Sequence, residues 1–386
     1  MIPRVGGQPL TMMKKSDSVG TLVFKMKHRA THLFTINLMK RDLLSSIMNR
    51  RALFPAIISL LMISSGCIGN TKPDNVSEGD SFNIIFNSGF EDDSLHVFAE
   101  NTSAPCTDDM KGIDYSVGNN GDWEQDLENT PFGEGLFCFG GGDRSQRGID
   151  IVQDPDDSNN QAMHMWIVEP AENVSDSDDI ACNGEEEGAR KARIQHVLKD
   201  NSELYSFQYQ VKIRLGDSFQ TLVDSEYDFN WMTIGEFWNN QPSEEHSFRV
   251  TLNLVKPNNV SGMPFYFGLK ADKQDDGDSD WNSAWSEEIV SNVEVPIGSW
   301  FTLDVTIIEG DQHNGRAIVH ATIDGVEYEV ANITDWTHAP SDPSPDGFSA
   351  INTMKLYTSG AVMCGLNDMD QRLEVWWDDY KIGIPE

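Results

Sequence analysis

The chain of 386 residues carries 62 acidic against 28 basic side chains, and its formal net charge at pH 7 is −34. A surface this acidic repels nucleic acid and anionic membranes, which argues against nucleic acid as a partner. The N-terminal part of the sequence indicates the cellular location of such a protein.

The first predicted element is an export signal. Residues 48–67 read MNRRALFPAIISLLMISSGC, with a basic start, an apolar run too short to span a membrane and a small residue before Cys67. A cysteine in this place is typical of a lipidated N-terminus, and a plain signal peptide with an incidental cysteine is the alternative. Residues 1–47 are then an upstream extension outside the mature protein, and 68–80 form a flexible tether. We expect an exported cell-surface lipoprotein, or a secreted protein, that meets the membrane only through its anchor.

The remaining cysteines predict disulfides. Four follow Cys67, namely Cys106, Cys138, Cys182 and Cys364. An even number in an exported chain indicates two bonds, and three connectivities are open. Since no C-x-x-C pair occurs, a zinc site is disfavoured.

From residue 81 to residue 386 the sequence predicts strands. The segments YSFQYQVKIRL (205–215) and SFRVTLNLV (247–255) alternate apolar and polar residues, which is typical of strands with one buried face. Strands separated by Gly, Asn and Asp turns, with almost no helical periodicity, favour one all-β domain. We expect a two-sheet antiparallel jelly-roll sandwich, monomeric and without an organic cofactor.

Several short motifs resemble a known superfamily. The domain opens with FNSGFED (86–92) and closes with VWWDDYKIG (375–383), and between them come RIQ, IGEFWNNQP, PIGSWFTLDV, NGRAIVHATIDG and MKLYTS. This order resembles the concanavalin A-like jelly rolls of secreted carbohydrate-active proteins, especially polysaccharide-lyase-like and laminin-G-like modules. The resemblance implies a polymeric sugar lying across a concave sheet. It also implies a structural calcium ion where the first and last strands meet, with Glu91, Asp378 and Asp379 as candidate ligands; a simple turn or strand cap is the alternative.

Alternation also predicts which polar side chains share a sheet face. Candidate substrate-binding residues of this kind are Arg193, Gln195, Arg249, Asn253, Tyr266, Lys270, Lys355 and Tyr357. Local positive charge in an acidic protein suits uronate or sulfate groups. The alternative is that these residues solvate the outer sheet or pair with neighbouring acids.

Further candidates combine aromatic rings and carboxamides. Trp238, Trp281 and Trp285 can stack on sugar C–H faces, and Asn239, Asn240 and Gln241 follow Trp238 directly. For each tryptophan alone, core packing is the alternative.

Glu236, in IGEFWNN (234–240), is the most conspicuous carboxylate. Alternation places it on one face with Met232, Ile234 and Trp238, where burial would raise its pKa and suit acid/base chemistry. A retaining glycosidase needs a second nearby acid, and EYDFN (226–230) has Asn230 where that acid would belong. A glucanase is therefore disfavoured.

A polysaccharide lyase needs a group that neutralises a uronate carboxylate and a base that removes the adjacent proton. Arg249, Asn239 and Gln241 suit the first task, and Tyr266, Tyr357 or His338 the second. We therefore expect β-elimination on an acidic glycan, with Glu236 near the reaction centre. A non-catalytic glycan-binding lipoprotein and a structural or adhesion protein are the two alternatives.

Overall fold

The computed structural model of the protein describes residues 82–91, 95–97, 106–114, 122–139, 146–169, 191–201, 203–225, 231–241, 244–257, 260–274, 281–287 and 291–385. Outside these residues lie the predicted extension 1–47, the signal 48–67 with Cys67, the tether 68–80 and Cys182. All of the description that follows concerns the residues inside those ranges.

Strands dominate the described chain. In chain order the elements are β1 Phe82–Ser88, β2 His96–Val97, β3 Cys106–Asp108, β4 Met110–Lys111, α1 Trp123–Glu128, β5 Glu134–Cys138, β6 Arg147–Gln153, β7 Gln161–Ile167, β8 Lys191–Lys199, β9 Ser206–Leu215, α2 Ser218–Asp224, β10 Met232–Asn240, β11 Phe248–Val255, β12 Tyr266–Gln274, β13 Trp281–Glu287, β14 Trp300–Ile308, β15 Arg316–Ile323, β16 Val326–Thr334, β17 Ala350–Ser359, α3 Gly360–Asn367 and β18 Leu373–Pro385. No helix among the described residues is long and apolar enough to cross a membrane.

Most of these strands form two large sheets. The first sheet has the order β16-β15-β14-β9-β18-β7-β6, with β1 pairing β18, and the second has the order β13-β12-β11-β10-β17-β8-β5-β3. Every pairing is antiparallel, and the chain crosses repeatedly from one sheet to the other. The predicted all-β fold, an antiparallel jelly-roll sandwich, is confirmed.

The core lies between the two sheets and follows from the alternation. In β14 every second residue is buried, as the pattern predicts. Phe207 of the first sheet lies 5.2 Å from Phe237 of the second, measured between ring centroids, and Tyr209 lies 5.9 Å from the same ring. Each such large apolar side chain contributes about 1.5–3 kcal/mol when it is removed from water.

A bulge in β10 changes which residues of that strand face outward. The pairing with β11 shifts register between Thr233 and Gly235, so Ile234 is an extra residue. Ile234 joins the core, whereas Glu236 and Trp238 lie on the outer face of the second sheet beside Arg249. The prediction that Glu236 shares a face with Met232 and Ile234 is therefore wrong, because strict alternation does not survive a bulge.

One disulfide is present among the described residues. It joins Cys106 and Cys138, which face each other on β3 and β5, the last two strands of the second sheet. The bond closes a loop across 32 positions, for which the chain-entropy model gives about 3–4 kcal/mol of stabilisation. Cys182 and the side chain of Cys364 lie outside the description, so the second bond stays a prediction.

Gly235→Ala should destabilise the protein by about 1–3 kcal/mol through overpacking. A Cβ at position 235 would lie 3.0 Å from Tyr209 Oη and 3.1 Å from Phe237 Cζ. Tyr209→Phe removes the nearer atom, so the double variant should lose less than the sum of the single losses. Urea denaturation of the four proteins measures this coupling; strictly additive losses would contradict the proposed contact.

Candidate functional site

The outer face of the second sheet carries a row of alternating charges, which we call the charge ladder. It runs across four neighbouring strands in the order Lys355 on β17, Glu236 on β10, Arg249 on β11, and Asp272 and Lys270 on β12. Side chains at these positions meet because adjacent strands lie about 4.8 Å apart. The ladder unites four of the predicted site residues from separate parts of the sequence, namely Lys355, Glu236, Arg249 and Lys270.

Glu236 is the buried centre of the ladder, with 3 % of its surface exposed. One carboxylate oxygen accepts from Lys355 Nζ and, at 3.1 Å, from Trp238 Nε1, and the other accepts from Arg249 Nη1 at 3.1 Å. Burial alone would raise the pKa of Glu236, but the charges of Lys355 and Arg249 and these hydrogen bonds outweigh it, so the pKa is lowered. The expectation of a raised pKa is wrong, and Glu236 is held as an anion.

Lys355 is almost completely buried, with 1 % of its surface exposed. Burial lowers its pKa to about 8, with Arg193 and Arg249 adding repulsion and Glu236 opposing the change. The ammonium group is therefore the most strained charge of the ladder.

Arg249 connects the ladder to two aromatic rings. Its Nη2 and Nε donate to Asp272 Oδ2 at 3.1 and 3.3 Å, and Asp272 also pairs with Lys270 at 2.8 Å. The guanidinium lies 4.3 Å from the ring centroid of Trp281 and 5.4 Å from that of Trp238. Contacts on both its edge and its face fix the orientation of this group.

Tyr357 lies next to the Lys355 end of the ladder. Its ring centroid is 4.9 Å from Lys355 Nζ and 5.8 Å from Arg193 Cζ. Register explains the grouping, since Arg193 is the cross-strand partner of Tyr357 and Gln195 is that of Lys355. Gln195 Oε1 is buried and accepts no hydrogen bond from any described residue. This end of the face presents a phenol between two cations, and we call it the tyrosine end.

The six ionised groups are unbalanced in sign. Among the described residues of this face, Arg193, Lys270, Arg249 and Lys355 oppose Glu236 and Asp272. A chain whose overall formal charge is −34 therefore carries a local surplus of positive charge here.

Other predicted site residues lie away from the ladder. Tyr266 begins β12, and since β11 and β10 separate β12 from β17, it is about 14 Å from the strand of Tyr357. Asn253 lies on the outer face of β11, where its side chain accepts from Thr233 Oγ1 at 2.8 Å and donates to Thr251 Oγ1 at 3.0 Å.

Two of the three carboxamides after Trp238, and two further candidates, contact or belong to the segment 335–349. Asn239 is completely buried and donates to Glu309 and to the Gly347 carbonyl. Asn240 donates to Asp342 at 3.3 Å, and the Gln241 backbone N–H donates to Glu244. In the same region His338 Nδ1 lies 2.9 Å from the Ala339 carbonyl oxygen, and Trp285 Nε1 donates to the Trp336 carbonyl. These contacts fix loops and do not join the ladder.

Sequence reasoning missed Asp272. The signal was available, because Lys270 and Asp272 are two positions apart on β12 and therefore share a face. What the sequence did not supply was the neighbouring strand that brings Arg249 opposite Asp272.

The first and last strands pair, as the resemblance implies, and carboxylates gather beside them. Asn160 Nδ2 lies 3.0 Å from oxygens of both Asp154 and Asp378, and Asp379 pairs with Lys212. Burial raises the pKa of Asp378 to about 6, helped by Asp379 and opposed by Asn160. Burial likewise raises the pKa of Glu91, with repulsion from nearby acids.

The described residues contain no group of three or more His, Cys, Asp or Glu side chains arranged to hold a metal ion. The amide of Asn160 and the ammonium of Lys212 already occupy part of the carboxylates' coordination capacity. Calcium at Glu91, Asp378 and Asp379 stays a prediction.

The free energy of unfolding of the wild-type protein should rise between pH 8 and pH 10, and Lys355→Met should abolish this rise. Unfolded lysine holds its proton to about pH 10.4, but folded Lys355 loses it near pH 8, so the unfolded state binds more protons between these values. The wild-type free energy of unfolding should therefore gain about 2 kcal/mol from pH 8 to pH 10 relative to Lys355→Met. Urea denaturation at both pH values measures the difference; parallel pH profiles would contradict the buried, strained ammonium.

Asp378→Asn should stabilise the protein above pH 6. The folded-state pKa of about 6 lies above the ordinary 3.8, so stability present at pH 4 is lost as pH rises through 6. At pH 8 the variant should be about 2–3 kcal/mol more stable, and the gap should close toward pH 4. Asp324→Asn, in an exposed turn, is the control for removal of one charge. If the predicted calcium ion binds here, added calcium should stabilise wild type and not the variant. Without calcium, a variant less stable than wild type at pH 8 would refute the raised pKa of Asp378.

Comparison with known proteins yields distant likenesses in structure only. No family model and no curated protein matches the sequence. Alginate lyase Aly36B is 11 % identical, with 73 % of this chain and 98 % of that one covered at a TM-score of 0.39. A glucuronan lyase of the fungus Trichoderma reesei is 13 % identical, covering 62 % and 87 % at 0.35. A family 16 endo-glucanase of Bacteroides ovatus is 12 % identical, covering 78 % and 100 % at 0.39. Likenesses this distant carry no argument about activity. Any argument about activity has to rest on the residues of this chain.

Proposed function

We propose that the outer face of the second sheet binds an acidic polysaccharide and cleaves it by β-elimination at the tyrosine end. The observation that carries the proposal is the phenol of Tyr357 between Arg193 and Lys355, on paired strands. A lyase requires a base beside positive charge, and this grouping supplies both within one sugar's length.

Each group has a distinct task in the proposed reaction. Arg193 pairs with the uronate carboxylate in bidentate fashion, which stabilises the charge that develops when the neighbouring C5 proton leaves. Tyr357 Oη, after passing its own proton to solvent, accepts that proton. The C5–H electron pair becomes the C4–C5 double bond as the C4–O bond breaks, and the departing oxygen takes a proton back from Tyr357.

Lys355 and Glu236 act behind the reacting groups. Lys355 places a fixed positive charge beneath Tyr357, and Glu236 holds that charge and Arg249 in place. Glu236 is an anion with a lowered pKa, so it suits positioning and not proton donation. Trp281 extends the face with aromatic surface for sugar rings, whereas Trp238 is only 8 % exposed and packs against the Trp281 ring.

One observation favours a second function, the capture of acidic glycan without cleavage. Arg249 and Lys270 are already paired with carboxylates of the ladder, so their charges are partly neutralised in the free protein. A binding face needs only the residual positive charge and the aromatic rings, whereas cleavage also needs an accessible base.

The purified protein should release unsaturated uronates from at least one polymer in a panel of alginate, polyglucuronate, pectate, sulfated glycans and neutral glucans. Ultraviolet absorbance of the new double bond measures the reaction, and reducing ends are counted in parallel. Tyr357→Phe keeps the ring and removes only the hydroxyl, so the rate should fall by about 10²-fold or more.

Two further variants make the test specific. Tyr328→Phe, exposed on the first sheet, is the matched control and should keep the wild-type rate. Tyr266→Phe separates the two tyrosines, and a loss confined to that variant would move the base to β12. Reducing ends without absorbance would mean hydrolysis, while retardation in a polysaccharide gel without cleavage would establish the capture function.

A further inference from the structure

A cavity of about 530 Å³ lies at one end of the first sheet, on elements that the charge ladder does not use. Its walls include Val168 after β7, Ser218 of α2, and Gln371, Arg372 and Glu374 where the chain enters β18. The volume falls within the roughly 300–1,000 Å³ of small-molecule sites.

Two polar atoms in the walls lack protein partners. Ser218 Oγ and Gln371 Oε1 are both buried and form no hydrogen bond with any described residue, and Ser218 as a whole is only 7 % exposed. Buried polar groups are nearly always hydrogen-bonded. Because these two atoms have almost no accessible surface, their side chains must rotate toward the cavity before a ligand bearing hydroxyl groups can satisfy both.

The charged part of the wall is held in place. Arg372 Nε and Nη2 lie 2.7 and 2.6 Å from Glu374 Oε1, and His164 Nε2 lies 3.2 Å from the same oxygen. The Arg372 guanidinium lies 5.5 Å from the ring centroid of Trp166, which restrains it further. Guanidinium donors and carboxylate acceptors are thus presented in a fixed geometry, which lowers the entropic cost of binding a ligand.

Charge restricts the kind of ligand. Among the described residues, Asp217, Asp370 and Glu374 line the cavity together with one cation, Arg372. This balance repels anions, in contrast to the ladder, while the mixture of donors and acceptors suits vicinal hydroxyl groups. We propose that the cavity binds a neutral mono- or disaccharide, a second saccharide site independent of the acidic-glycan face.

Saturation-transfer NMR of the whole protein with glucose, galactose, mannose, cellobiose, mannobiose and glucuronate tests the proposal. At least one neutral sugar should bind, and glucuronate should not compete with it. Ser218→Ala combined with Gln371→Leu should weaken that binding by about ten-fold or more. Because both oxygens lack protein partners, the melting temperature should not fall.

Two variants keep the test decisive. Ser283→Ala removes a hydroxyl from exposed β13 of the other sheet and should leave binding unchanged. Arg372→Lys, at a side chain 46 % exposed, tests the wall if the double variant fails to fold, and it should weaken binding several-fold. The proposal is overturned if no neutral sugar binds, if glucuronate displaces it, or if binding is equal in wild type and in whichever of these wall variants folds.

Discussion

The buried carboxylate of Glu236 is the interaction on which the arrangement of the candidate site depends. Burying an ion costs several kcal/mol even after the protein relaxes, and here the cost is offset by Lys355, Arg249 and the indole of Trp238. The same carboxylate therefore fixes groups from three strands. Without it two cations would face each other on a dry sheet surface, and neither Lys355 under Tyr357 nor Arg249 under Trp281 would keep its position.

Alternating charge across neighbouring strands explains how this surface tolerates so many ions. Lys355, Glu236, Arg249 and Asp272 follow one another in sign from β17 to β12, so each charge meets its opposite on both sides except at the ends. The ends are Lys355 and Lys270, both cations, and Arg193 lies beyond the first of them. Positive charge is therefore in surplus at both ends of the ladder, and Tyr357 lies at the Lys355 end.

Much of the fold was predictable, and less of the site. Period-two alternation correctly placed Arg249, Lys270 and Tyr357 on an outer face, because a strand's side-chain period does not depend on its neighbours. It failed at Glu236, since a single extra residue, Ile234, reverses every later side chain of β10. It also could not place Asn239, whose partner, the Gly347 carbonyl, lies 108 positions away in the sequence. Alternation along a strand predicts the face on which each side chain lies, whereas bulges and loop contacts depend on tertiary structure.

A cationic patch on a strongly acidic chain affects where a polyanion would bind. At physiological ionic strength, charges interact over about 8 Å, so the overall charge of −34 acts weakly on a polymer beyond the first hydration layers. Close to the sheet, the two unmatched cations act at short range and across a partly dry surface, where the effective dielectric is low. Under the proposed function, attraction would act at the two ends of the ladder, at Arg193 and at Lys270, whereas the acidic edge around Asp378 and Asp154 would repel the same polymer. Under the proposed function, this distribution of charge would decide where an acidic chain binds, because its carboxylates would be attracted to these cations and repelled by the acidic edge.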